Sequence, residues 1–555
     1  MFETINEIFD DTAARYPATS CSFPLDKTEV SMESLVAESR RYAAGLAEQG
    51  IAKGDLVGLL FPTSIEFMYA FFGLLRLGAV PTALPLPASA ADLATFGQRV
   101  QRIIDDGGVR HVLIHKRFAP LAAAPPRGVH MVAFDEQLAA ADNTNGFDVR
   151  GDDLAFVQYT SGSTSAPKGV ALRHANIAAG LRAIRESSRL GPSDRLMQWL
   201  PLYHDMGLFG MLAALSSGAP VHVWPPTSFI RKPRQWLQEF SKVRATLYTG
   251  PNFSYEYLLR AFSDKDLDGL ELSNWRLAYN GAEHINHEST RRFIEFFGRC
   301  GFRAEAMFPV YGLAEATLAV SFPVPGRPPR TQWVERDLLA NQGHAKPCER
   351  DHPDARPLVS VGNPVLDHEV RICDRDGRVL PEQQAGEIQI RGPAVMRGYL
   401  NQPEATEATF QDGWLKTGDL GYFSEGELYI TGRQKEFIIV NGQNYYPQDV
   451  EDIAREVPGV YRNRCIAVAL YSEGDERMGV LAETDLSDDE ELAALASSIQ
   501  QTILHKLSIS NVDVHLVARR TIKRTTSGKY QRILMARHLL DNELGDELRF
   551  SLRVG

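Results

Sequence analysis

"VQYTSGSTSAPKGV", residues 157–170, sets five small polar residues, Thr160 to Thr164, behind an apolar run and follows them with Pro167, Lys168 and Gly169. The run "LAFVQYT" (154–160) has the length and composition of a buried strand. Glycine, serine and threonine after such a strand turn backbone N–H groups and hydroxyls outward, an arrangement suited to phosphate oxygens. Helical spacing resumes at Ile177, Leu181 and Ile184, so the stretch reads as strand, polar loop, helix. Lys168 adds a mobile positive charge. The pattern is not the P-loop GxxxxGK[ST], because Gly162 is followed by Lys168 without the required second glycine. Taken alone, the stretch is a candidate phosphate binder whose composition an ordinary surface loop shares.

Around it, short apolar runs such as "DLVGLLF" (55–61) and "HVLIH" (111–115) alternate with helical patterns, which predicts α/β layers. A chain of 555 residues exceeds one compact core, so several domains are expected. A formal charge of -11, from 59 basic and 70 acidic residues, argues against a general nucleic-acid binder. The five cysteines are scattered and form no CxxC pair, so neither a zinc site nor a disulfide framework is indicated. The start "MFETINEIFDD" is acidic and lacks the basic and apolar regions of a signal peptide. In the most apolar stretch, 65–81, Glu66 and Arg76 interrupt the run, while Ile65, Met68, Phe72 and Leu75 recur at helical spacing before Gly78. That predicts a buried helix and no integral membrane segment. A cytoplasmic, multidomain protein is expected.

Seven prolines fall between Pro323 and Leu358, where the sequence reads as a long irregular segment, either functional or a loose linker. From 359 to 432 the pattern turns strand-like, with "HEVRICDRDGRVL" predicting a hairpin at Asp376-Gly377. Beyond Gly432–Lys435 a separate small α/β unit is expected.

Further segments give the opening stretch its meaning. "YGLAEAT" (311–317), "KTGDLGY" (416–422), "GRQKEFIIVNG" (432–442) and "TTSGKYQR" (525–532) follow it in order. Together the five resemble the signatures of the adenylate-forming superfamily: acyl-CoA synthetases, peptide-synthetase adenylation domains and luciferases. Ser165 stands where that family's loop usually has glycine. Within the superfamily the chain is most similar to fatty acyl-AMP ligases, through "LPLYHDMGLFG" (200–210), "GPNFSYEY" (250–257), "NGAEHI" (280–285), "YGLAEATLAVS" (311–321) and "NGQNYYPQDVE" (441–451). The segment 323–358 lies where those ligases carry an insertion associated with acyl-AMP formation without efficient transfer to coenzyme A. The resemblance implies an α/β fold in which 1–432 form a large domain of mixed layered sheets with flanking helices and a β-barrel-like subdomain. Residues 433–436 would be a hinge, with Lys435 at its pivot, and 437–555 a small mobile α/β domain.

The resemblance also assigns roles. Thr160, Ser161, Gly162, Ser163, Thr164 and Lys168 would hold the β- and γ-phosphates of ATP, and Glu315 would bind Mg²⁺, a hard cation suited to oxygen ligands. Asp419 would accept hydrogen bonds from both ribose hydroxyls, and Arg433 would add a charge-assisted contact. Gly281, Ala282, Glu283, Tyr311 and Gly312 would wall the adenine, with Tyr311 stacked on it. His204 would border the acyl carboxylate, with Asp205 orienting it, and Lys529 would bridge carboxylate and α-phosphate. The fatty chain would lie in an apolar tunnel near 209–215 and the "NFSYEY" helix. Seven Lys or Arg and no Asp or Glu fall in 519–538, either a solvated face or a dock for an acidic carrier. The expected acceptor is the phosphopantetheine thiol of a holo acyl carrier protein, or of a polyketide or peptide synthase carrier domain. Coenzyme A is the alternative. A catalytically weak scaffold homologue is a further reading, against which Lys529, Glu315 and Asp419 count. A peptide-synthetase module is not expected, because too few residues follow Lys529 for a fused carrier domain.

Overall fold

The computed structural model describes residues 2–86, 93–118, 126–139, 146–160, 168–440, 443–472, 475–507, 509–525 and 528–553. Its largest sheet takes strands in the order Met307–Pro309, Leu277–Asn280, Leu247–Gly250, Leu196–Gln198, Val221–Val223, Ser20–Phe23 and Thr28–Ser31. All neighbours are parallel except the last pair. Parallel strands are covered on both faces, which is why these runs are apolar almost throughout. A second parallel sheet orders Val80–Ala83, Leu56–Leu60, His111–His115 and His130–Phe134. The helix Ile65–Leu77 forms as its spacing predicts: Phe67, Met68, Phe71 and Leu75 are buried, and Gly78 ends it at φ 80°.

The opening stretch folds differently from its reading. Leu154–Thr160 is a strand, but Lys168–Arg173 is a second strand antiparallel to it, and the helix begins only at His174. "KGVALR" carries its own apolar run, buried from Gly169 to Leu172, and pairs with Val157 and Tyr159 before any helix can start. Residues 161–167, with Ser161, Gly162, Ser163 and Thr164, lie outside the described residues.

The proline-rich segment is also not irregular. Thr331–Glu335 and Ala355–Val359 pair as an antiparallel ladder, with the helix Arg336–Gln342 between them. Its prolines sit mostly outside these elements, where a missing N–H costs nothing. Val334, Leu339, Ala340, Ala345 and Leu358 pack with Tyr422, Tyr429 and Tyr446 in a core of their own. The turn at Asp374–Gly377 forms, with Gly377 at φ 82°, but its return arm is only the bridge from Cys373 to Val379. Glu369–Cys373 pairs instead with Gly386–Arg391, inside a five-stranded sheet that also holds Trp414–Ser424 and Glu427–Arg433.

From Cys465 onward a four-stranded sheet (Cys465–Ser472, Asp475–Glu483, Val512–Val517, Leu548–Leu552) packs against the helices Pro447–Ala454, Asp489–Leu507 and Arg532–Leu540. The main core draws on residues from Ile5 to Leu428, whereas two further cores draw on residues from Ile438 onward. Among the described residues, no helix is long and apolar enough to cross a membrane.

Of the three large apolar side chains in the middle of the proline-rich segment, only Leu339 is fully buried, at 1% exposure; Leu338 and Trp333 are partly exposed. Leu339→Ala should therefore cost about 2–5 kcal/mol and lower the thermal unfolding midpoint clearly. Leu338→Ala should shift it by less than half as much in the same thermal melts.

Candidate active site

The carboxyl ends of Leu277–Asn280 and Met307–Pro309 open onto a cavity of about 1450 Å³, closed on the far side by residues beyond 432. Ligand crevices in parallel sheets lie at such carboxyl ends. Small-molecule sites span roughly 300–1,000 Å³, so this one has room for more than one ligand. Gly281 follows the first strand end and does not line the cavity; it is buried, and a Cβ there would sit 2.9 Å from the Val310 carbonyl oxygen. Ala282, Glu283, Tyr311 and Gly312 do line it. Ala282 holds φ 66°, a left-handed conformation that costs a non-glycine residue energy and is common at functional sites. Gly312 cannot carry a side chain, because its Cβ would meet the Leu318 carbonyl oxygen at 1.7 Å. The Glu283 carboxylate is taken up by the backbone N–H of Phe253, at 2.5 Å, and so ties the wall to the helix Asn252–Ala261.

Asp419 is held from two sides. Tyr311 Oη donates to its Oδ2 at 2.7 Å and Arg433 Nε donates to its Oδ1 at 2.9 Å. The ladder makes this possible, since Asp419 and Arg433 are register partners. Each carboxylate oxygen keeps further accepting capacity for a ligand.

Glu315 sits on the short turn Ala314–Ala316, where Tyr399 Oη donates to its Oε1 at 2.9 Å. The Lys168 ammonium lies 4.6 Å from the centre of the Tyr399 ring. Tyr399 is a cavity residue the sequence reading missed. Its two-residue strand pairs with Lys168–Arg173, a contact between distant parts of the chain that no local pattern signals. Burial pushes the Glu315 carboxyl above its ordinary value, with the Tyr399 hydrogen bond and the Lys529 charge opposing.

His204 lines the cavity from the start of the helix Asp205–Ser216. The Asp205 Oδ1 accepts from the Met206 N–H at 2.7 Å, and its charge acts on both Glu315 and Lys529. Lys529 enters from the opposite side. Its turn is tied by Thr525 N–H to the Lys529 carbonyl at 2.7 Å and by Lys529 N–H to Thr525 Oγ1 at 3.1 Å. Burial pulls its ammonium below the usual lysine range, helped by Arg433, while Asp205, Asp419 and Glu315 pull it up. Thr160, Lys168 and Lys435 complete the expected residues on the cavity wall.

The basic run 519–538 is not one exposed face. Arg532 is bound inside, to Glu451 at 2.7 Å and Glu436 at 2.8 Å, and Arg519 pairs with Asp485. Arg524 stacks 4.0 Å over Tyr530. Acids distant in sequence, invisible within the run, absorb these cations. Arg520, Lys523 and Arg537 stay exposed.

Among the described residues no group of three or more His, Cys, Asp or Glu could hold a metal ion. A half-buried carboxylate such as Glu315 nevertheless fits Mg²⁺, which is commonly held by one or two carboxylates together with substrate phosphates. On the other side of the cavity the wall turns apolar: Leu196, Ala214, Ile230, Leu247 and Phe253 line it.

This chain belongs to the AMP-binding enzyme family, which matches residues 9–400, and the AMP-binding enzyme C-terminal domain matches 442–537. It is 33% identical over 526 residues to a medium-chain-fatty-acid–[acyl-carrier-protein] ligase of Moorena producens, covering 91% of this chain and 88% of that one. It is 33% identical over 515 residues to a 4-hydroxyphenylalkanoate adenylyltransferase of Mycobacterium marinum, covering 87% and 81%. A Caulobacter vibrioides relative, 33% identical with 90% and 88% covered, carries the provisional name acyl-CoA synthetase. Among solved structures, one from work on fatty acyl-adenylate ligases of E. coli and L. pneumophila superposes with a TM-score of 0.91 at 31% identity, covering 98% of each chain. The L. pneumophila fatty acyl-adenylate ligase in complex with acyl adenylate and pyrophosphate gives a TM-score of 0.76 at 30% identity, covering 100% of this chain and 98% of that one.

Because burial raises the Glu315 pKa, the folded protein favours its protonated form, and the ionised form costs stability at higher pH. That cost is absent below the ordinary glutamate value and appears as pH rises through the folded one. Glu315→Gln should therefore raise the unfolding temperature of the nucleotide-free protein at pH 8. The gain should vanish in melts near pH 4.5.

Proposed function

We propose that the protein joins a fatty acid to ATP, forming acyl-AMP and pyrophosphate, and then passes the acyl group to the phosphopantetheine thiol of an acyl carrier protein. One observation carries the first half: Asp419, Glu315 and Lys529 meet on one cavity that continues between apolar walls. The fatty acid carboxylate attacks the α-phosphorus, and the bond to the departing pyrophosphate breaks. Negative charge gathers on the α-phosphate oxygens as this happens. A desolvated ammonium at Lys529 is aimed where that charge grows and stabilises it more than water would. Asp419, fixed by Tyr311 and Arg433, takes the ribose hydroxyls; Tyr311, Gly312, Ala282 and Glu283 wall the base, with Gly281 behind them. His204 borders the carboxylate. Thr160, Ser161, Gly162, Ser163, Thr164 and Lys168 hold the outer phosphates, and Glu315 would hold Mg²⁺, which neutralises charge on them.

The second half rests on the proline-rich unit. It reaches across to the residues beyond 437: Asn444 N–H donates to Asn341 Oδ1 at 2.9 Å, and Arg356 Nε bonds Asp449 Oδ1 at 2.7 Å while its guanidinium lies 4.0 Å over Tyr446. These ties favour the closed, adenylating pose. A bias of about 1.4 kcal/mol changes a population tenfold. The large domain ends near 432, and Gln434–Glu436, with exposed Lys435, is the hinge about which 437–555 swing. A carrier that brings its own protein contacts can overcome the bias, where free coenzyme A has less to offer. The relatives' names support this acceptor and coenzyme A alike.

The test is a panel of fatty acids with ATP, offered coenzyme A or a holo carrier protein, with products identified by mass. Efficient acyl-CoA formation would return the protein to the acyl-CoA synthetases. Lys529→Ala should lower acyl-AMP formation by roughly 10²–10³-fold. Transfer from supplied acyl-AMP should suffer far less, and equal loss in both half-reactions contradicts the role. Asp449→Asn removes the charge that Arg356 grips. It should slow adenylation and raise acyl-CoA formation relative to acyl-AMP release, measured side by side with the unaltered enzyme.

A further inference from the structure

The sheet face that looks into the apolar part of the cavity is not wholly apolar. Leu247 is in register with Leu196 on one neighbouring strand and with Leu277 on the other, and Thr249 is in register with Tyr279. The two-residue repeat of a strand puts Gln198 on the same face, next to Thr249. A polar row of Gln198, Thr249 and Tyr279 thus crosses three adjacent strands, at 0%, 5% and 6% exposure. The side-chain polar atoms of Gln198 and Thr249 have no hydrogen-bond partner among the described residues, and the Tyr279 hydroxyl has none but the neighbouring Ser188. Ser188 lies beside the Tyr279 hydroxyl, and its own oxygen has no other partner among the described residues. Thr249 and Tyr279 line the cavity itself. Across from them Gly210 leaves the space open: a Cβ there would touch only Thr249 Cγ2, at 3.5 Å.

Buried hydroxyls are nearly always paired, and leaving them dry costs the full penalty of their desolvation. A saturated chain lying along this face would leave them so. An acyl chain bearing its own hydroxyl would accept from one and donate to the other, since both Tyr279 and Thr249 can do either. We propose that the acyl pocket is built for a hydroxylated carboxylic acid, whose chain or phenolic hydroxyl is received by Tyr279 Oη and Thr249 Oγ1. This rests on the adenylating activity proposed above and names the class of acid it serves.

The experiment measures kcat/KM for acyl-AMP formation with acids offered in pairs, each hydroxy acid beside its deoxy partner of equal length. The set runs from 3-hydroxy through mid-chain and ω-hydroxy fatty acids to (4-hydroxyphenyl)alkanoates. At least one hydroxy acid should be preferred over its partner by about 10-fold or more. Tyr279→Phe and Thr249→Val should each carry that ratio toward unity, chiefly through KM for the hydroxy acid, while turnover of the deoxy acid rises. A merely structural role would lower both acids together. Thr249→Val removes no hydrogen bond found in the fold, and Tyr279→Phe removes at most the contact with Ser188, so both should fold. Preference for the deoxy acid in every pair, or a preference that survives both substitutions, overturns the inference and leaves the adenylating activity standing. Failure to adenylate any acid of either kind overturns both.

Discussion

Lys529 lies with other residues beyond 432 on one wall of a cavity whose opposite wall comes from the earlier part of the chain, and its ammonium is desolvated there among Asp205, Asp419 and Glu315. A lone buried ammonium would lose its proton or pull water in; facing three carboxylates, it is tolerated. The carboxylates depend on it in return, since burial works against Glu315 and the lysine offsets part of that cost. Much of the surrounding architecture keeps these groups in place. The ladder register sets Asp419 beside Arg433, Tyr311 fixes the other oxygen, and the short strand at Tyr399 steadies Glu315. If the small C-terminal unit swings away, Lys529 is hydrated and the acids lose their partner.

That coupling explains why closure is held by ties at several points. Arg260 donates to the Arg462 carbonyl at 2.9 Å, Asn286 Nδ2 donates to Asp452 Oδ2 at 3.0 Å, and Arg356 grips Asp449. Each is worth little alone. Spread over the rim, they align the small unit without freezing it.

Elements with an internal period were legible in the sequence: the helix Ile65–Leu77 and the strands at 56–60, 111–115 and 154–160 formed where their spacing placed them. The motif residues that met at the cavity were legible for another reason, since each lies in a short stretch with its own composition. Contacts joining distant segments were not. Tyr399 gains meaning only when its strand meets Lys168–Arg173, and Arg532 looks like a surface cation until Glu451 and Glu436 close on it. The proline-rich unit misled because proline punctuates loops, yet here it brackets a paired ladder whose apolar residues find their partners at Tyr422, Tyr429 and Tyr446.

In the function proposed above, the Arg356–Asp449 pair lets such a unit bias a pose without locking it. Arg356 is almost fully buried, covers Tyr446 and donates to the Thr431 carbonyl, while Asp449 also faces Arg336, so the charges taken from water are recovered in ion pairs, one backbone hydrogen bond and one ring contact. For buried pairs the desolvation cost and the Coulomb gain nearly cancel. Opening would separate both partners into solvent, where each recovers its hydration. The pair therefore opposes separation less than its short distance suggests, and its main effect is to fix where the small unit docks. The apolar cluster that Leu339 and Ala340 share with Tyr446 adds to the hold, because apolar surface gains nothing from re-exposure.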